Sequence, residues 1–196
     1  MLKLYEKYLE VVDKYLQKYF EDQKPFIHCK EGCTYCCETG DYPFSRLEME
    51  YLMAGFVKLP AEIQGVIKKN IADLLNRKPQ EGKFFHKCPF LIDKKCALYE
   101  RRGIICRVFG LAAFDIVDGK KVVVIPECGK QGLNYSEIYD SSNSTVDMEK
   151  FKSFNTGEIL PCPPDLNNMI KKVAKGIDDL EFGEIRPMLN WFEKQS

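Results

Sequence analysis

Nine cysteines, at positions 29, 33, 36, 37, 88, 96, 106, 128 and 162, constrain this chain more than any other feature. Four crowd into Cys29-Lys30-Glu31-Gly32-Cys33-Thr34-Tyr35-Cys36-Cys37. Three more follow in Cys88-Pro89-Phe90-Leu91, Cys96-Ala97-Leu98-Tyr99-Glu100-Arg101-Arg102 and Cys106-Arg107. Whether such thiols pair or ligate depends on the compartment. The start, Met1-Leu2-Lys3-Leu4-Tyr5-Glu6-Lys7, is charged and amphipathic, unlike a secretory signal, and no run approaches the roughly 18 apolar residues of a membrane span. A cytoplasmic location without membrane attachment is expected. In a reducing compartment clustered cysteines favour metal ligation over disulfides. The odd count and the adjacent pair Cys36-Cys37 also fit a disulfide framework poorly.

Thiolate is a soft ligand that selects zinc, Cu(I) or iron–sulfur clusters over magnesium or calcium. Short gaps between thiols let one loop wrap a single centre, and Gly32 allows the tight turn this needs. The candidate metal ligands are Cys29, Cys33, Cys36, Cys37, Cys88, Cys96, Cys106 and Cys128; Cys162 reads as a small buried hydrophobe. Two adjacent cysteines rarely share one zinc ion, so one of Cys36 and Cys37 is expected to face elsewhere. His28 and His86 each lie within two residues of a cysteine and could ligate or donate to a ligand, although a hydrogen-bonded or exposed role is the simpler expectation. Four thiolates around Zn²⁺ or a [4Fe–4S]²⁺ core carry about two net negative charges. Arg102 and Arg107, with Arg101 beside them, are expected to offset that charge, or to bind an anionic group such as a carboxylate.

The rest of the chain is scaffold. With 29 basic and 29 acidic residues there is no overall field to draw in nucleic acid, and the basic stretch from Lys68 to Lys87 is spaced like a solvated helix face. Residues 2 to 21 carry Tyr5, Tyr8, Leu9, Val12, Tyr15, Leu16, Tyr19 and Phe20 at helical spacing. Ser45-Arg46-Leu47-Glu48 has the form of a capping box for a helix ending near Phe56, and Pro60 opens another. Asp93-Lys94-Lys95 predicts a turn between two short strands. Asp118-Gly119 predicts a type I′ hairpin joining Leu111–Val117 to Lys121–Ile125. Residues 131–164 read as irregular, Asp165 caps a helix reaching Leu180, and a short helix starts near Pro187. The expectation is a mainly helical α+β single domain with a small antiparallel sheet and cysteine-rich metal-binding loops. It divides into an N-terminal helix (1–24), a cysteine-cluster core (25–130), and a linker with C-terminal helices (131–196).

The pattern Cys29-x3-Cys33-x2-Cys36-Cys37, then Cys88-Pro89-Phe90-Leu91, Cys96-x2-Tyr99-Glu100 and Cys106-Arg107, resembles the CxxCxxCC cysteine-cluster (YkgJ-like) family over roughly residues 29 to 110. That resemblance implies zinc or iron chelation. The family usually carries Arg-Pro where this chain has Arg102-Gly103, and often a glycine in the turn that is Asp93-Lys94-Lys95 here. The first three cysteines, with Tyr35, are also spaced like the cluster loop of radical S-adenosylmethionine enzymes, but two helices and a hairpin follow here in place of the repeating strand–helix barrel. A more distant likeness is to the larger flagellin lysine N-methylases.

Three functions follow. The first is a metalloprotein holding an iron–sulfur cluster or Zn²⁺ in a structural, redox or metal-handling role. The second is an iron–sulfur- and S-adenosylmethionine-dependent modification enzyme, by analogy with the methylases. The third is a zinc-stapled interaction module that meets a protein partner through its tyrosine-rich first helix. No serine triad, phosphate-binding glycine loop or zinc-protease helix is present, and Glu38, Asp41 and Glu100 read as solvated carboxylates.

Overall fold

The computed structural model describes residues 1–30, 32–40, 42–79, 81–82, 84–143, 145–153 and 165–193. In chain order its elements are helix α1 (Leu2–Asp22), α2 (Tyr35–Glu38), strand β1 (Pro43–Ser45), α3 (Arg46–Phe56), α4 (Ala61–Arg77), β2 (Leu91–Ile92) and β3 (Lys95–Cys96). There follow α5 (Ile104–Val108), β4 (Ala113–Val117), β5 (Lys120–Val124), β6 (Tyr139–Asp140), β7 (Thr145–Val146), α6 (Met148–Ser153), α7 (Leu166–Lys175) and β8 (Ile185–Pro187), with short 3-10 turns between them. This is the expected mainly helical α+β class. Among the described residues its strands form two-stranded antiparallel ladders: β1 with β8, β2 with β3, β4 with β5, and β6 with β7.

Two compact units emerge, each assembled from separated stretches. The first comprises Met1–Tyr5, Gly32–Arg107 and Asp179–Ser196; the second comprises Glu6–Glu31 and Val108–Asp178. The core of the first is built by Phe44, Met49, Leu52, Phe56, Ile67, Ile71, Phe90, Leu98 and Met188, with Cys88, Cys96 and Cys106 packed against it. Tyr5 meets Tyr51 edge-on at 5.1 Å between centroids and Phe182 at 6.1 Å.

Helix α3 starts on the capping box read from sequence. Ser45 Oγ accepts from the Glu48 amide (3.2 Å), while the Ser45 amide donates to Glu48 Oε2 (2.8 Å). The Ser45 hydroxyl also donates to that oxygen (2.7 Å), and the Ile104 amide donates to Glu48 Oε1 (2.8 Å). One buried carboxylate therefore holds the first turns of α3 and α5 together. Gly103, one residue earlier, lies so close that a Cβ there would sit 2.6 Å from Phe44 Cε1 and 3.0 Å from Glu48 Oε1. The β1–β8 ladder, which pairs Pro43 with Pro187 and Ser45 with Ile185, extends this region and has no local sequence signal. The helix expected from Pro187 is a 3-10 turn, Met188–Phe192, whose Trp191 indole donates to the Phe44 carbonyl (3.0 Å).

The β2–β3 hairpin turns on Asp93 and Lys94, both at positive φ (47° and 59°). The glycine often found in this turn relieves that conformation, and its absence here is carried by residues of the polar kind that tolerate it best at Asp93.

In the second unit Phe26, Ala112, Ile125, Tyr135, Ile138 and Tyr139 form the core. The β4–β5 hairpin turns on Asp118 and Gly119 (φ 50° and 74°), as the type I′ expectation requires, with Val117 opposite Lys120. The stretch read as irregular contains β6, β7 and α6. The Ser141–Asn143 run caps the β6–β7 ladder, where Asp140 Oδ1 accepts from the Ser142 amide (2.9 Å). Asp165 caps α7 by accepting from the Asn168 amide (3.1 Å), but the helix stops at Lys175. Gly176 takes the C-cap there, so Ile177 and Leu180 fall outside the helix. Cys162, within Pro161-Cys162-Pro163-Pro164, and Asp41 lie outside the described residues.

Candidate metal centre

Cys36 and Cys37 sit on α2, a single helical turn that places their sulfurs 3.9 Å apart. The downstream segment is clasped to them by backbone. The Cys88 amide donates to the Cys37 carbonyl (2.6 Å), and the His86 amide donates to the Gly40 carbonyl (3.2 Å) in an antiparallel bridge. Gly40 is required on that bridge, because a Cβ would lie 2.5 Å from the Tyr42 ring. Cys96 comes in on the β2–β3 hairpin, which sets it opposite Leu91, and Cys106 comes in on α5.

The electrostatics show which thiols are neighbours. Loss of water raises Cys88 to about 12, and the charges of Cys96 and Cys36 push the same way. Cys106 is raised by burial and by Cys88, Cys96 and Cys36; Cys96 is raised by burial and by Cys36. Within the adjacent pair, the contact between the two sulfurs lowers Cys36 and raises Cys37. Cys36, Cys37, Cys88, Cys96 and Cys106 thus share one neighbourhood drawn from three stretches of chain. Nearby backbone amides oppose these rises, those of Phe90 and Leu91 lowering Cys88 and that of Leu98 lowering Cys96, while the Leu91 amide's hydrogen bond goes to the Cys88 carbonyl (3.1 Å). Such donors favour the thiolate, the form that ligates. Tyr42 lines the same neighbourhood; burial first, then the charges of Cys36, Cys106 and Cys37, raise its phenol. Sequence reasoning missed Tyr42, since nothing in its local pattern separates it from a core aromatic.

The charge of Arg102 reaches the thiols, lowering Cys36, Cys96 and Cys106. Its guanidinium is held over the Tyr99 ring (3.5 Å) and donates to the Tyr99 carbonyl (2.9 Å). Arg107 donates to the carbonyls of Arg102 (3.0 Å) and Glu100 (3.1 Å), fixing the loop that presents Arg102. Arg101 lies over Tyr51 (4.4 Å). Cys33 is half-buried beside Gly32, which adopts φ +84°. Glu38 accepts from the Thr34 hydroxyl (2.7 Å).

Cys29 and Cys128 belong to the second unit. Cys29 is exposed, and its sulfur accepts from Asn134 Nδ2 (3.2 Å). Asn134 is fully buried; it also donates to the Gly110 carbonyl (2.8 Å) and accepts from the His28 amide (2.7 Å). The His28 ring pairs with Glu137 (2.6 Å). Cys128 is buried on the 3-10 turn Glu127–Gln131. Tyr135, whose hydroxyl accepts from the Ala112 amide and donates to Gln23, has its phenol raised by burial and then by Cys128 and Cys29.

All eight cysteines among the described residues are free thiols. In the same set, no three His, Cys, Asp or Glu side chains are drawn in tightly enough to hold an ion as placed. The donor set suits a soft metal all the same: several thiols, amides that favour thiolate, and one guanidinium to offset charge. No described helix is long and apolar enough to cross a membrane.

A family model described as CxxCxxCC, a putative zinc- or iron-chelating domain, matches residues 28–131, more than half of the chain. No curated protein and no solved structure matches. The comparisons therefore lend the flagellin lysine N-methylase likeness no support.

Proposed function

The chain belongs to the CxxCxxCC family, and from that premise we propose that the ligands of one thiolate-bound metal centre are drawn from Cys36, Cys37, Cys88, Cys96 and Cys106, with Cys33 at their edge and one of Cys36 and Cys37 facing elsewhere. The observation that carries this reading is geometric: the Cys88 amide clasps the Cys37 carbonyl (2.6 Å), and Cys88, Cys96 and Cys106 pack against one core. Backbone amides that favour the thiolates of Cys88 and Cys96 support it further. The centre is zinc or an iron–sulfur cluster: zinc supplies a structural staple, and a cluster adds electron transfer.

The chain's own residues do the rest. Arg102 offsets part of the charge of the thiolates, and Arg107 keeps the Arg102 loop in place. The Cys88–Cys37 backbone bond holds two ligand segments in register. The hydrophobic surroundings of Cys88, Cys96 and Cys106 keep bulk water from competing for the metal.

Anaerobic purification with metal and sulfide analysis and a visible spectrum tests this. Brown protein with iron and sulfide in near-equal amounts identifies a cluster, and colourless protein with one zinc per chain identifies zinc. A chain that carries neither, and takes up neither on reconstitution, overturns the reading.

A further inference from the structure

Among the described residues of the first unit, one buried side-chain nitrogen has no hydrogen-bond partner: Nε2 of His86. The residue is only 6% exposed, so this nitrogen cannot be satisfied by bulk solvent. Leaving a buried polar atom unmatched is costly, and a fold tolerates it where a ligand is to be met.

The other ring nitrogen settles the tautomer. Nδ1 lies 3.0 Å from the Lys87 carbonyl oxygen, and a carbonyl can only accept, so Nδ1 carries the proton. Nε2 therefore presents a bare lone pair. A histidine that donates through one nitrogen to a backbone carbonyl and leaves the other free has the arrangement that metal-ligating histidines use.

Position in the chain directs that lone pair. His86 and Cys88 are two residues apart on a stretch tied to the α2 segment at both ends, by the His86–Gly40 and Cys88–Cys37 backbone bonds. In an extended stretch, residues i and i+2 project to the same side. Cys88 is one of the thiols of the cluster, and Phe84, two residues before His86, flanks the imidazole at 5.2 Å between ring centroids.

We propose that His86 Nε2 is a ligand of the metal centre, making it a mixed thiolate–imidazole site. This rests on the thiolate reading above and deepens it. One imidazole in place of one thiolate lowers the negative charge of the site by one, which suits a cluster of thiols with Arg102 as its nearby guanidinium.

The test uses the full chain loaded with cadmium-113 and labelled with nitrogen-15 in histidine, read by NMR. The expected result is spin coupling between bound cadmium and one histidine nitrogen. The coupling should vanish in His86→Gln and persist in His28→Gln. In competition titrations with Cd²⁺, His86→Gln should bind at least tenfold more weakly. A wild-type chain that binds cadmium with a thiolate-only signal and no coupling to histidine overturns the proposal, leaves the thiolate centre standing, and does not depend on how well the variants fold. A wild-type chain that binds no cadmium overturns both.

Discussion

In the first unit the neighbours of Cys106 are other cysteines and a guanidinium, whereas in the second Cys29 meets the amide of Asn134 and Cys128 is buried near the Tyr135 phenol. The same residue type is therefore used in two ways. Where thiols crowd, burial first and then the neighbouring thiols push Cys88, Cys96 and Cys106 towards the neutral form, while Cys37 and Arg102 favour the thiolate of Cys36.

The largest expected effect of that difference is on metal removal. Structural zinc in small peptides contributes about 10–16 kcal/mol of apparent binding energy. A strong chelator should therefore loosen the first unit: the amides of Cys88 and Ala97 should lose hydrogen-exchange protection, while those of Ala112 and Tyr135 keep theirs. Equal loss in both units would break the comparison.

Next come the thiols themselves. Cys106→Ser should weaken metal binding by more than the roughly 10- to 100-fold that changes to a ligand's own hydrogen-bond partners cost. Cys128→Ala should leave metal content unchanged and cost about 1 kcal/mol in a denaturant melt.

The pH dependence should differ in sign between metal-free and loaded protein. Because Cys88 is held up at about 12 against an ordinary 9.0, the folded metal-free chain prefers the neutral thiol. That contribution is fully present below pH 9 and is lost as the pH climbs towards 12. Metal binding needs thiolate, so affinity should rise with pH over the range in which the free thiols still hold their protons. Urea melts with and without metal at several pH values check both slopes.

In the second unit, Asn134→Ala removes three hydrogen bonds and strands the His28 amide and the Gly110 carbonyl. A loss of about 3 kcal/mol is expected, with metal content unaltered. A modest effect is expected at Arg102. Arg102→Gln should lower metal affinity about tenfold at neutral pH and recover as the pH rises, because the lost charge served to favour thiolates on Cys36, Cys96 and Cys106.

What could be read from the sequence was whatever depends on a few adjacent residues. The Ser45–Glu48 capping box, the Asp118-Gly119 turn and the Asp165 cap are short-range hydrogen-bond patterns, and the fold uses each one. Gly176 was an equally local stop signal; extending the last helix to Leu180 gave its apolar spacing too much weight. The β1–β8 ladder joins residues about 140 positions apart, and no local pattern announces it. Spacing places Cys29 in one loop with Cys33, yet the two belong to different compact units, because Asn134, more than a hundred residues onward, supplies the partner of Cys29. Tyr42 and the bare nitrogen of His86 are also products of tertiary placement.

The Glu48 carboxylate has a consequence for any attempt to move this thiol set elsewhere. Its two oxygens accept from Ser45 and from Ile104, two residues before Cys106, and Gly103 leaves the room in which they do so. A graft that copied only the cysteines would leave α5 without its anchor and Cys106 without an address. The portable unit is the cysteines together with Ser45, Glu48 and Gly103, and a side chain at position 103 would have to be matched by a smaller neighbour in place of Phe44.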